Sequence, residues 1–208
     1  MIPSNKLHRF LLFVLFLSAG NPAVVRAQDT LTFLNGKQVV CASVQVLQDV
    51  VVAEVIRKRN TKTRPYAAAM VFSIAYADGS DTVLYRPDVS EDAWNTEEMR
   101  LFITGQQDAR ATYKTYAWGI AGFALGSGIG FLAYDQFYVL AVPVAYTVVA
   151  GLGEPKPPGG RLDTDSRFQQ PAYWAGYMRV ARNKKLFTAL KTSVLGIALG
   201  VTIGNLSN

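Results

Sequence analysis

The chain has 208 residues, of which 50% are hydrophobic and 12% aromatic, with a net charge of +6 and a mean hydropathy of +0.15, which leaves room for one small folded module and a membrane-associated part. Three of the 21 basic residues, Lys6, Arg9 and Arg26, lie in an N-terminal leader, so +6 falls to +3 beyond it; that is no nucleic-acid footprint, and no nucleic-acid partner is expected. His8, the only histidine, is also in the leader, which excludes Ser-His and Cys-His nucleophile systems and His-bound metals from the rest of the chain.

Residues 1–27 read as a secretory signal. Lys6, His8 and Arg9 precede the apolar run Phe10 to Leu17, and Val25-Arg26-Ala27 supplies the small residues that signal peptidase needs. Cleavage after Ala27 is expected. An uncleaved anchor is the alternative, disfavoured by a run too short to span and broken at Gly20-Asn21-Pro22. Cys41 is the only cysteine; it forms no intrachain disulfide, lies too far along to carry a lipid anchor, and reads as a small buried strand residue.

From Asp29 to Tyr85 the pattern is β. Leu31 to Leu34 and Val39 to Val46 flank the turn pair Asn35-Gly36, and further strands are predicted at Val50 to Arg57, Ala69 to Tyr76 and Thr82 to Tyr85, the last two joined at Asp78-Gly79. Five short strands predict a small antiparallel β barrel or rolled sheet within an α+β protein, as an exported domain over 28–86. Between strands, Arg57, Lys58, Arg59, Lys62 and Arg64 precede Pro65. They read as a solvated hairpin tip, with a patch for anionic lipid or acidic glycan as the alternative.

Residues 87–115 read as a linker and an amphipathic helix. Pro87, Ser90 and Trp94 lead to Asn95, a helix cap, with Glu98 completing a capping box. Met99, Phe102 and Ile103 share a face of the helix. Asp108, Arg110 and Tyr113 are the candidate interaction residues; Asp108 and Arg110 stand two apart and so need separate partners.

The apolar segments Tyr116 to Tyr134 and Phe137 to Gly151 are separated by Asp135 and Gln136 and predict a helical membrane hairpin over 116–151. Pro143, in the second, is tolerable where neighbours satisfy the freed carbonyl. Residues 152–172 read as a polar Pro/Gly-rich loop in which Asp163 and Asp165 lack the glycine turn and distal glutamate of a calcium loop. Over 173–208, Tyr173 to Tyr177 and the cations Arg179, Arg182, Lys184 and Lys185 predict an interfacial helix with its charges at phosphate level. Lys191 snorkels, and Thr192 to Leu206 is an apolar helix short for a full span.

Glycine recurs every fourth residue at Gly122, Gly126 and Gly130, and again at Gly196, Gly200 and Gly204. That spacing puts each set on one helix face, where another backbone can approach closely. The two stripes are expected to pack on each other or across subunits. If each apolar segment crosses once, the Arg179 to Lys185 cluster lies on the exported side, against the positive-inside rule. A re-entrant second segment, burial of the glycine helices in an assembly, or an anionic outer leaflet would each resolve this.

The order of these features, with Asp29-Thr30-Leu31 through Asn35-Gly36, the strand and turn Ile74 to Gly79, the G-x-x-D-A-x-x-x-Y pattern from Gly105 to Tyr113, and Gly176-Tyr177 before a basic helix, resembles a group of uncharacterised exported and membrane proteins of Bacteroidota-type bacteria. The resemblance implies an envelope location in a diderm bacterium and no particular activity. The residues favour a non-enzymatic cell-envelope protein with a scaffold or assembly role, whose partners are membrane lipid and further copies of itself or other envelope proteins. A pore using Ser127 and Thr147 is the alternative, and a lipid or cell-wall enzyme using Asp108, Arg110, Tyr113 and the Glu97-Glu98 pair is less favoured. No catalytic, cofactor or metal residues are expected.

Overall fold

The computed structural model describes residues 28–57, 60–87, 93–157 and 165–207. The leader and its cleavage site, Lys58, Arg59, Ser90 and Asp163 lie outside the described residues. The described chain is α+β, with strands β1 (Asp29–Phe33), β2 (Gln38–Leu47), β3 (Val50–Arg57), β4 (Asn60–Ala67), β5 (Val71–Ala75) and β6 (Asp81–Val83). Helices α1 (Thr96–Thr112), α2 (Tyr116–Leu132), α3 (Val142–Leu152) and α4 (Pro171–Leu206) follow.

The strands form one antiparallel sheet in the order β4-β3-β2-β1-β5-β6. Its first hairpin turns at Gly36, whose φ of +73° suits a residue without a Cβ. Asp78-Gly79 makes the second turn: the Asp78 carboxylate accepts from the backbone N and the hydroxyl of Ser80 at 2.8 and 2.6 Å. Those bonds favour the charged form and hold the carboxyl below its ordinary value.

Alternation along β1 and β3 sends Leu31, Phe33, Val51, Ala53 and Val55 to one face, where they meet Cys41, Val71 and Ile74. Every member of this core comes from the sheet or its adjoining loops, so the sheet bends over its own side chains. Phe33 on β1 and Tyr66 on β4 meet edge to face at 5.0 Å, although a flat sheet would hold those strands about 14 Å apart. Register shifts at Thr32/Phe33 and Cys41/Val44 are bulges of the kind that increase such curvature. The sheet nevertheless stays open, with β4 and β6 as its edges, so the barrel form is not reached. The three residues of β6 offer too short an edge to pair with β4.

β4 corrects the reading of the basic stretch. Lys62, Arg64 and Pro65 are part of a strand paired with β3 along its whole length, rather than of a hairpin tip. Thr61, Thr63 and Tyr66 are good strand formers; edge position tolerates the proline, and the charges discourage edge-to-edge association.

α1 begins with the expected capping box: Asn95 Oδ1 accepts from Glu98 N, and Asn95 N donates to Glu98 Oε2, both at 2.9 Å. Trp94 stacks on Phe102 at 6.4 Å, and Arg100 reaches Asp81 at 3.8 Å and the face of Phe72, which sets α1 beside the sheet. The chain bends by 58° between α1 and α2. Phe137–Ala141 is a 3-10 turn leading into α3. Pro143 occupies the first turn of α3, where no N–H is needed, so no neighbour has to compensate for it. Residues 171–206 form one 36-residue helix instead of an interfacial helix and a separate short one, because nothing between Lys184 and Thr192 breaks helical hydrogen bonding. By length and hydropathy α4 can cross a membrane.

Candidate functional site

The residues singled out in the G-x-x-D-A-x-x-x-Y segment meet three different surroundings around the junction of α1, α4 and the sheet. Gly105, Ala109 and Tyr113, four residues apart, face α4. A methyl at Gly105 would run into the Tyr173 carbonyl, and one at Gly176 into the Phe102 carbonyl, so the two helices touch backbone to backbone. One turn on, Ala109 is fully buried and Tyr113 meets Tyr177 edge to face at 6.4 Å. Burial pushes the pKa of the Tyr113 phenol up, reinforced by Tyr177.

On the flank toward the sheet, Gln106 Nε2 donates to the Leu34 carbonyl at 3.2 Å and Arg110 Nη2 to the Asn35 carbonyl at 2.6 Å. Both residues also crowd Gly36. The β1–β2 turn is thereby tied to α1.

On the remaining flank, Asp108 Oδ2 accepts from the Tyr173 hydroxyl at 2.6 Å and from Arg167 Nη1 at 3.1 Å. Arg167 also forks onto Asp165, through Nε to Oδ1 at 3.0 Å and Nη2 to Oδ2 at 2.8 Å. The Asp165 hydrogen bonds are the main reason that the guanidinium holds its proton still more tightly than usual. Phe168 then packs edge to face against Tyr173 and Tyr177 at 5.1 and 5.2 Å. Asp108, Arg110 and Tyr113 therefore do not converge on a common point, and each holds a different part of the chain to α1.

The four cations expected at phosphate level divide in two. Lys184 Nζ donates to the carbonyls of Tyr113 at 2.7 Å and Arg110 at 3.1 Å, capping the last turn of α1, where helical carbonyls lack partners and the dipole favours a cation. Lys185 is only 2% exposed; its Nζ donates to the Gly153 carbonyl at 2.9 Å and lies 3.9 Å from the centre of the Trp118 ring, an ammonium–π contact. Lys185 is thus an interior anchor and not a surface charge. Arg179 and Arg182 are exposed, the former also lying over Phe102.

The glycine stripes face one another within the chain. A methyl at Gly126 would meet the Ser193 carbonyl, one at Gly196 the Phe123 carbonyl, and one at Gly200 the Ser127 carbonyl. At Gly130 the Ile197 carbonyl would lie 2.8 Å away, at Gly122 the Thr192 hydroxyl 2.6 Å, and at Gly204 the Tyr134 Cβ 2.9 Å. Gly, Ala and Ser fill most of the inside, joined by Val139, Tyr146 and Ile197, while most large residues are outside: Ile120, Phe131, Leu132, Leu140, Val148 and Leu195 are all exposed.

Sequence reasoning did not identify Gly105 and Gly176 as packing residues, although the four-residue step from Gly105 to Ala109 to Tyr113 was a usable signal. Arg167 and the Gly153 carbonyl carried no signal, since their partners lie far away in sequence. Among the described residues no three His, Cys, Asp or Glu side chains are placed to hold a metal. The chain matches no protein-family model, and no curated protein or solved structure is significantly similar to it.

Proposed function

We propose that this protein is a non-enzymatic membrane component of the cell envelope, in which a glycine-packed helical unit carries an exported β module in a scaffolding or assembly role. The inverted packing of α2, α3 and the distal half of α4 carries the reading. Water drives large aliphatic side chains inward, whereas in lipid the interior goes to whichever side chains let helices approach, and these are small. The lengths agree with this. α2 measures about 26 Å, the 3-10 turn and α3 together about 26 Å, and Phe187 to Leu206 about 30 Å, against a hydrocarbon core of about 30 Å.

Because α4 continues unbroken from the α1 contact into the glycine-lined half, the Arg179 to Lys185 cluster stays beside the sheet. The re-entrant arrangement, which separates cluster and module, loses support; an anionic leaflet on the module's side accounts for the charge. Ser127 and Thr147, on which a lumen would rely, donate to the Ala124 and Pro143 carbonyls of their own helices. With the glycines occupied inside one chain, partners are left the surface of the β module and the aliphatic exterior.

Alkaline carbonate treatment of membranes holding the full chain should leave it in the pellet, and in mild detergent it should migrate on native gels in complexes larger than its own 22.7 kDa. Release into the supernatant would overturn the membrane reading, and a purely monomeric band the assembly role.

A further inference from the structure

Beside the corner where α1 bends into α2, a groove of about 370 Å³ runs along α4, lined by Arg110, Val180, Asn183, Lys184, Phe187 and Thr188. Asn183 also lines a neighbouring hollow with Arg179 and Arg182, on the adjoining face of α4. The two ends of the groove differ in chemistry. The end toward the sheet is cationic. The other begins at Phe187, one helical turn beyond Asn183 and 73% exposed, and leads onto the aliphatic exterior of α4. No carboxylate on α4 offsets the charge, since Pro171 to Leu206 contains no Asp or Glu; Asp108, on α1, is engaged by Arg167 and Tyr173. The cations are also held in place: Arg110 is fixed by the Asn35 carbonyl and Lys184 by the end of α1, so a positive field exists there without ordering long side chains.

From this geometry we infer that the groove is a binding site for the headgroup of an anionic phospholipid, a reading that rests on the membrane setting proposed above. The phosphate sits between Arg110 and Lys184 with the Asn183 amide as a donor, while the acyl chains descend past Phe187. A phosphodiester bearing two acyl chains matches both ends of the groove, which neither a soluble anion nor an uncharged lipid does. Because Arg110 also holds the β1–β2 turn, the bound lipid touches the residue that docks the module.

The test uses the purified full chain in detergent, with phosphatidylglycerol, phosphatidylcholine and inorganic phosphate as probes, and reads retained lipid by native mass spectrometry. Phosphatidylglycerol should be retained over phosphatidylcholine and withstand an excess of inorganic phosphate. Asn183→Asp, which sets a carboxylate where the amide donates, should weaken retention about fivefold, and Arg110→Gln with Asn183→Asp further, following the contribution of each charge at a membrane surface. Lys62→Gln, which removes one charge from β4, should leave it unchanged. Asn183 has an exposed side chain, so its single variant keeps the test valid if the double variant misfolds. Equal retention of both lipids, full displacement by phosphate, or undiminished retention by Asn183→Asp would overturn the proposal. Alkaline release of the wild type reports separately on the membrane setting.

Discussion

Single side chains set the internal limits of this molecule. Lys185 lies where helix α3 ends and α2 presents Trp118, and the Gly153 carbonyl together with the indole face offset the cost of removing an ammonium from water. Cys41 has the opposite character. It is fully buried in the sheet core, and burial, helped by Asp29, pushes its thiol from 9.0 up to about 11. At pH 8 only about a thousandth of it is thiolate, the reactive form. A maleimide should therefore label the native protein hardly at all and label it fully in denaturant, which mass spectrometry resolves; rapid native labelling would contradict the buried position. Because the pKa is raised, the folded state binds this proton more tightly than the unfolded chain, so the stabilisation is complete below pH 9 and is lost as pH rises toward 11. A denaturant midpoint that falls across this window in the wild type and less in Cys41→Ala is the expected result.

At the scale of elements, helix contact depends on positions where backbones meet. Leucine at Gly176 has to displace the Phe102 carbonyl and should destabilise the protein by about 3 kcal/mol or more. Gly128 has nothing within 4 Å, so Gly128→Leu should be neutral or stabilising by up to about 1 kcal/mol, because glycine inside a helix costs about that much. Circular dichroism melting in detergent compares the two, and equal midpoints would refute the close α1–α4 crossing. This contrast also shows what the sequence could reveal. The capping box and both glycine-containing turns depend on residues close together in the chain, so spacing exposes them, whereas the packing role of Gly105 depends on distant Tyr173. The strand character of Asn60–Ala67 was hidden because its cations and Pro65 resemble loop chemistry until the partner strand β3 makes it an edge. Likewise Lys184 and Lys185 look like surface charges until α1 and α3 bring carbonyls to them, contacts spanning 71 and 32 residues.

For the whole molecule, the sheet and the basic turns of α4 lie at one end of the aliphatic helical unit, and the turn at Asp135-Gln136 and the end of α4 at the other. In a Cys41→Ala background, cysteines placed singly at Lys62 and Asn205 should be labelled from opposite sides of a sealed vesicle by a membrane-impermeant maleimide. Labelling of both from one side would refute three crossings. The basic residues share this asymmetry: between Thr115 and Pro155 there is neither Lys nor Arg, and none follows Lys191. Nearly every positive charge therefore lies on the side of the module, where an anionic leaflet would draw it against the bilayer.

Helix α4 is continuous through the junction, and this has a mechanical consequence. The turns from Pro171 to Leu186 project about 24 Å beyond the glycine-lined half, gripped by α1 through Gly176 and by the Lys184 cap. Helices answer a change of bilayer thickness by tilting, and a rigid rod has no joint in which to absorb that tilt. A 10° change would swing the outer end by about 4 Å, carrying α1 and the sheet with it. In the membrane setting proposed above, the helix would act as a lever with its fulcrum at the membrane surface, and the thickness of the surrounding lipid would set where the β module is held.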